Sequence, residues 1–97
     1  MNSNDYIEKA KTYFSENDNS KTAEIKLRKL LIDECRDIFK TTIQIQECLI
    51  HKYDCKCVYS IKIYISQRKK IEVLGSKKTY YDMYTDIRSQ LIDKINP

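Results

Sequence analysis

The chain has 97 residues, 41% apolar and 33% charged, with a formal net charge of +4. This composition excludes a disordered segment, and the length predicts one domain, residues 1–97, with a single core. Because no apolar run approaches the roughly eighteen residues of a membrane span, and the N-terminus lacks the pattern of a secretory signal, we expect an intracellular, cytoplasmic protein without a membrane partner.

Two helices are predicted before the strand pattern begins. Apolar residues at helical spacing predict a helix over residues 4–14, and the polar segment SENDNS interrupts it. A longer apolar stripe predicts the main helix over Thr22 to Lys40, with Ser20 or Thr22 as its N-terminal cap. We therefore divide the domain into an N-terminal helix and a core of residues 22–97.

From Thr41 the apolar period changes to two, which is typical of strands. The segments TTIQIQECLIHK and CKCVYSIKIYIS predict a hairpin, and a three-residue turn at Lys52-Tyr53-Asp54 would pair Leu49 with Cys57. This register predicts a core face of Ile43, Ile45, Leu49, Cys57, Tyr59, Ile61, Ile63 and Ile65. It predicts an opposite face of Gln44, Gln46, Cys48, Ile50, Lys56, Val58, Lys62 and Tyr64.

A short third strand continues the core face and is predicted to end before Gly75, the only glycine. Glycine tolerates a positive φ, so we predict that Gly75 forms a sharp corner into a last helix. Ser76, or Thr79 with Asp82 as a capping box, is the predicted start of that helix. The predicted order is α-α-β-β-β-α. This is an α+β two-layer sandwich, a three-stranded antiparallel meander with helices on one face.

Positive charge is concentrated in the sequence around Gly75. Residues 67–78 carry five basic residues and one acid, a net charge of +4, whereas residues 1–19 sum to −2. Local clustering of cations is what binding to a polyanion requires. We therefore predict one basic corner, formed by Arg68, Lys69, Lys70, Lys77 and Lys78.

The segment LGSKKTYYDMY resembles the entry to the last helix of the double-stranded-RNA-binding domain, which has an α-β-β-β-α core; the matching residues are Gly75, Ser76, Lys77 and Lys78. The resemblance implies that the two lysines contact phosphates at the positive end of that helix. Independently of the family, a helix N-terminus offers free N–H groups and partial positive charge to an anion.

The same resemblance implies a second contact from the loop holding His51 and Lys52, and a third from the helix over Thr22 to Lys40. Three features depart from the family pattern: its third lysine falls on Tyr81, bulky side chains replace its alanine-rich helix, and the Gly-Pro of its β1–β2 loop is absent. We expect a non-catalytic module that binds structured or double-stranded RNA. The alternative for the lysines is a solvated surface that protects an edge strand from aggregation.

A second function class is a protein-interaction module, such as an inhibitor, an adaptor or a homodimer. An open sheet face with exposed apolar side chains, or an unpaired strand edge, would serve as the interface. The candidate residues on that face are Cys48, Ile50, Val58 and Tyr64. Tyr53, Tyr64 and Tyr81 are the tyrosines we expect to be exposed, where they could also stack on bases.

Metal and catalytic sites are not predicted. Cys48, His51, Cys55 and Cys57 offer four zinc ligands within ten residues, but the predicted register puts Cys48 on the face opposite the other two cysteines. Zinc and a disulfide remain alternatives to the reduced thiols that we expect. The only histidine has no placed acid or nucleophile, so we expect neither an enzyme nor a cofactor.

Overall fold

Three helices and three strands follow one another in the predicted order in the computed structural model, which describes residues 2–96. The helices are α1 (Ser3–Tyr13), α2 (Ser20–Asp37) and α3 (Tyr80–Ile95), and the strands are β1 (Gln44–Tyr53), β2 (Lys56–Ser66) and β3 (Lys69–Lys77). The strands form one antiparallel sheet in the order β1-β2-β3. Helix α2 packs on β1, and α3 packs on β2 and β3, which confirms the α+β architecture.

Helix α1 belongs to the core. It packs against α2 and α3, and it buries Tyr6 and Ala10, with Phe14 just beyond its end. The Tyr6 hydroxyl donates to Oδ2 of Asp37 at 2.5 Å. This hydrogen bond and burial raise the pKa of Tyr6 to about 12. The contact fastens the first turns of α1 to the end of α2.

The ends of α2 differ from the prediction. Its cap is Asn19, whose extended backbone lets Oδ1 accept from the Thr22 N–H at 2.8 Å, so the prediction of Ser20 or Thr22 was wrong. Asparagine is as good a cap as serine, and Ser20 takes the first helical position instead. The helix ends at Asp37 rather than Lys40, because Lys40 adopts a left-handed φ of 53° on the way to β1.

The predicted hairpin register was wrong. The chain turns at Asp54-Cys55, so that Tyr53 pairs with Lys56 and Leu49 pairs with Ser60. A shift of odd length exchanges the two faces of a strand. Leu49 is therefore 60% exposed, while the neighbours of Leu49 in β1 are buried. Cys48 and Ile50, predicted on the open face, thus lie in the core.

A β-bulge explains why the start of β1 still faces the core as predicted. The register shifts between Ile45 and Glu47, which leaves Gln46 without a partner in β2. One extra residue restores the alternation that the shorter turn reversed. Ile45 consequently pairs with Ile63, and both are buried.

Gly75 does not form a corner. It lies inside β3, its φ is not positive, and it pairs with Tyr59 of β2. A Cβ atom at this position would lie 2.5 Å from Oη of Tyr59 and 2.7 Å from its Cζ. The glycine is required because the Tyr59 ring crosses β3 to reach α3, where its hydroxyl donates to Asp86. Thr79, not Ser76, caps α3 by accepting from the Asp82 N–H at 3.0 Å.

Candidate nucleic-acid interface

The sheet layer carries the positive charge of the molecule. Residues 44–79 hold eight Lys or Arg and three Asp or Glu, a net charge of +5 with His51 neutral. The rest of the chain holds ten Lys or Arg and eleven Asp or Glu, a net charge of −1. The strands are covered by helices on one face only. Cations stand on both faces, because Lys70 is on the open face, whereas Lys77 pairs with the buried Cys57 and lies beside Asp82 of α3. A polyanion would therefore be attracted to the sheet layer as a whole.

The cations of this layer lie at two places rather than at one corner. Residues 68–70 stand at the turn that starts β3, whereas Lys77 and Lys78 follow at its far end. Nine residues of strand separate these ends by about 26 Å. The prediction of a single basic corner was therefore wrong, because β3 is a full strand and not the short one expected.

Many of these cations are free to bind a ligand. Helix α2 pairs most of its cations with acids, for example Lys29 with Asp33 at 3.0 Å. On the sheet, the ammonium groups of Lys62 and Lys70 lie 3.7 and 3.8 Å from the Glu72 carboxylate, which is farther than in the ion pair of α2. The following sheet-layer cations make no ion pair with any of residues 2–96: Lys56, Arg68, Lys69, Lys77 and Lys78.

The N-terminus of α3 already holds an anion from the chain itself. The Glu16 carboxylate, from the α1–α2 loop, accepts from the Tyr80 N–H at 3.3 Å and from Lys52 Nζ at 2.5 Å. Lys52 also contacts the Lys78 carbonyl at 3.4 Å, and its ammonium lies 5.0 Å from the centroid of the Tyr80 ring. Lys52 is thus used in packing, and the predicted phosphate position at this helix end is occupied. No sequence pattern pointed to Glu16.

The open face of the sheet has an apolar centre. Leu49 of β1 and Leu74 of β3 flank Ser60 in one row across the sheet, and they are 60% and 75% exposed. His51 and Val58 pair in the next row. A shallow depression of about 510 Å³ lies over these residues. The sequence analysis did not identify Leu74 as a residue of the open face, although alternation with the buried Val73 predicts that it faces outward.

Of the residues predicted for a protein interface, Val58 and Tyr64 are half-buried on the open face, while Cys48 and Ile50 are buried beneath it. Tyr53 is exposed at the hairpin tip, and Tyr81 is half-buried on α3. The apolar patch on this face therefore consists of Leu49, Val58 and Leu74.

The possible zinc ligands of the hairpin do not come together. Cys55 is exposed in the turn and His51 lies on the open face, whereas Cys48 and Cys57 face the core. Within the described range 2–96 no three His, Cys, Asp or Glu side chains are placed to hold a metal ion. Burial raises the pKa of Cys48 and Cys57 to about 11, which keeps both thiols protonated at neutral pH.

Comparison of the chain with protein-family models, with curated proteins and with solved structures found no match. No helix within residues 2–96 has the length and apolar character needed to cross a bilayer.

Proposed function

We propose that this chain binds RNA at its sheet layer, without catalysis, and holds phosphates near both ends of β3. The observation that carries the proposal is the separation of charge: +5 on residues 44–79 against −1 on the remainder. Cations without an intramolecular partner release condensed counterions when they meet phosphates, which drives association. We favour structured RNA as the polyanion, because proteins recognise it mainly by its shape and by its phosphates and 2′-hydroxyl groups, which suits a surface whose free charged groups are cations.

The proposed contacts differ from those of the double-stranded-RNA-binding domain. Glu16 repels a phosphate from the N-terminus of α3, so Lys77 and Lys78 act from the end of β3 and the turn after it. Arg68 and Lys69 supply the second contact, about 26 Å away along the strand. Two separated contacts select a ligand long enough to span the sheet. This supports a helical or looped RNA over a single phosphate group.

Removing either pair of end cations should weaken RNA binding and should also make it less dependent on salt concentration. In the Lys77→Ala/Lys78→Ala and Arg68→Ala/Lys69→Ala variants, the negative slope of log K against log salt should become shallower by about 1.4 to 1.8, because two phosphate contacts are lost. Fluorescence anisotropy with a labelled RNA hairpin, at several salt concentrations and with reductant, measures this slope. The melting temperature should stay almost unchanged, since surface substitutions cost within about 0.5 kcal/mol.

The matched control is Lys21→Ala/Lys94→Ala, which removes the same charge from two exposed positions on the helices. It should leave the slope unchanged. An equal change of slope in the control variant would show that the net charge of the protein, and not the position of the cations on the sheet, governs binding. A wild-type protein that fails to bind hairpin RNA, single-stranded RNA and duplex DNA at low salt would refute the proposal.

A second candidate is self-association through the open face, favoured by the exposure of Leu49 and Leu74. The sheet offers only three strands, so an interface on this face would be at the small end of stable dimers. We expect the Leu74→Ser variant to stay monomeric at concentrations where the wild type sediments partly as a dimer. Sedimentation velocity over a concentration series decides this. A wild type that remains monomeric throughout would exclude the dimer.

A further inference from the structure

An open cavity of about 530 Å³ lies at the edge of the sheet where β1 begins and β2 ends. Tyr64, Ile43 and Ile65 are among the residues that line it, and Ile43 is almost completely buried. The cavity is also lined by three glutamines, Gln44, Gln46 and Gln67. The lining therefore combines one aromatic residue and two apolar residues with three glutamines, and it contains no charged residue.

The glutamines are available to a ligand. The bulge leaves Gln46 outside the β1–β2 pairing, and Gln67 lies in the turn after β2. The three carboxamides are exposed, and none is engaged in a hydrogen bond with another residue of the range 2–96. Each carboxamide offers both a donor and an acceptor. A neutral, planar ligand with donors and acceptors on its edge fits this set of groups.

Cations stand beside the cavity but not in it. Lys70 pairs with Tyr64 across the strands, and its Nζ lies 5.9 Å from the centroid of the tyrosine ring. Arg68 follows Gln67 in the chain and has no ion pair with a described residue. A ligand that places a planar group on Tyr64 would thus bring an attached phosphate close to two cations.

We propose that this cavity binds one unpaired base of the RNA. The base stacks on Tyr64, its edge bonds to the glutamine carboxamides, and the adjoining phosphate lies near Arg68 and Lys70. Stacking on an aromatic side chain is how proteins commonly hold unpaired bases, which occur in the loops and ends of structured RNA. This inference rests on the proposed function, because the RNA must first reach the sheet.

The test compares two labelled ten-nucleotide ligands by fluorescence anisotropy at low salt: single-stranded oligoadenylate and an abasic ribose-phosphate chain. Both carry the same phosphates, and only the first carries bases. We expect the wild type to bind oligoadenylate about tenfold more tightly, the effect of one base stacked on an aromatic ring. Tyr64→Leu should abolish this preference and leave the affinity for the abasic chain unchanged.

Two further variants keep the test decisive. Gln44→Ala/Gln67→Ala, at exposed positions where substitution has little effect on stability, should reduce the preference as well, whereas Tyr53→Leu at the hairpin tip should retain it. Equal affinity of the wild type for both ligands would overturn the base site alone and leave phosphate binding intact. Failure to bind either ligand would also overturn the base site, and the titration with hairpin RNA described above would then decide the proposed function separately.

Discussion

Arg88→Met should lower the free energy of unfolding by about 3–5 kcal/mol, because it leaves a buried carboxylate without its partner. Glu34 of α2 is only 2% exposed, and Arg88 of α3 binds it with two hydrogen bonds of 2.8 and 2.7 Å. The pair joins the two helices that cover the sheet. Although burial opposes it, the Glu34 carboxylate raises the pKa of Arg88 and keeps it charged. Urea denaturation with reductant measures the loss.

The matched control is Arg36→Met, which breaks an ion pair with Asp33 of 2.8 Å whose arginine is 63% exposed. Its cost should stay below about 1 kcal/mol, as for other surface pairs. The double variant Glu34→Leu/Arg88→Met should recover most of the stability, because apolar residues of similar volume replace buried pairs well. An Arg88→Met variant no less stable than Arg36→Met would show that water reaches Glu34.

The helices and the order of the elements could be predicted because each helix carries a continuous apolar stripe. Tyr6 and Ala10 of α1, and Leu27 and Leu31 of α2, recur at helical spacing and are all buried. Such a stripe has only one favourable orientation against a core. The bounds were wrong where short polar residues compete, as at Asn19, which caps α2 in place of its neighbour Ser20.

The faces of the hairpin could not be predicted, because two local features act in opposite directions. Two-residue hairpin turns usually contain glycine, which makes them recognisable in a sequence, but Asp54-Cys55 contains none. The short turn moves Leu49 outward, while the bulge at Gln46 keeps Ile45 inward. Alternation alone satisfies either arrangement over part of the strand. The residues between the two features were therefore assigned to the wrong face.

The candidate site was predicted by residue type better than by position. The free lysines and Arg68 are on the sheet layer, as a polyanion site needs, yet they stand at two ends of β3. Proximity along the sequence was taken for proximity in space, which fails when nine residues extend as a strand. The Glu16 carboxylate at the start of α3 is a contact over 64 residues, and only the fold could place it.

Gly75→Ala should destabilise the protein by about 1–3 kcal/mol, the usual cost of overpacking a filled site. The new Cβ would lie 2.5 to 2.8 Å from three atoms of the Tyr59 side chain. That ring cannot simply swing away, because Tyr59 is buried and its hydroxyl is held by Asp86. Relief of the clash breaks this hydrogen bond and opens the contact between β2 and α3. Thermal and urea unfolding measure the loss of stability, and Gly75→Val should cost more stability than Gly75→Ala.

The sign of the effect should reverse when the ring is removed. In a Tyr59→Leu background, Gly75→Ala should stabilise the protein by about 0.5–1 kcal/mol, since glycine inside a strand is less favourable than alanine. A double-mutant cycle would then give a coupling energy well above the roughly 0.5 kcal/mol within which independent sites add. A glycine needed for a positive φ predicts instead the same loss in both backgrounds. The cycle therefore distinguishes a glycine kept for space beside Tyr59 from one kept for backbone freedom.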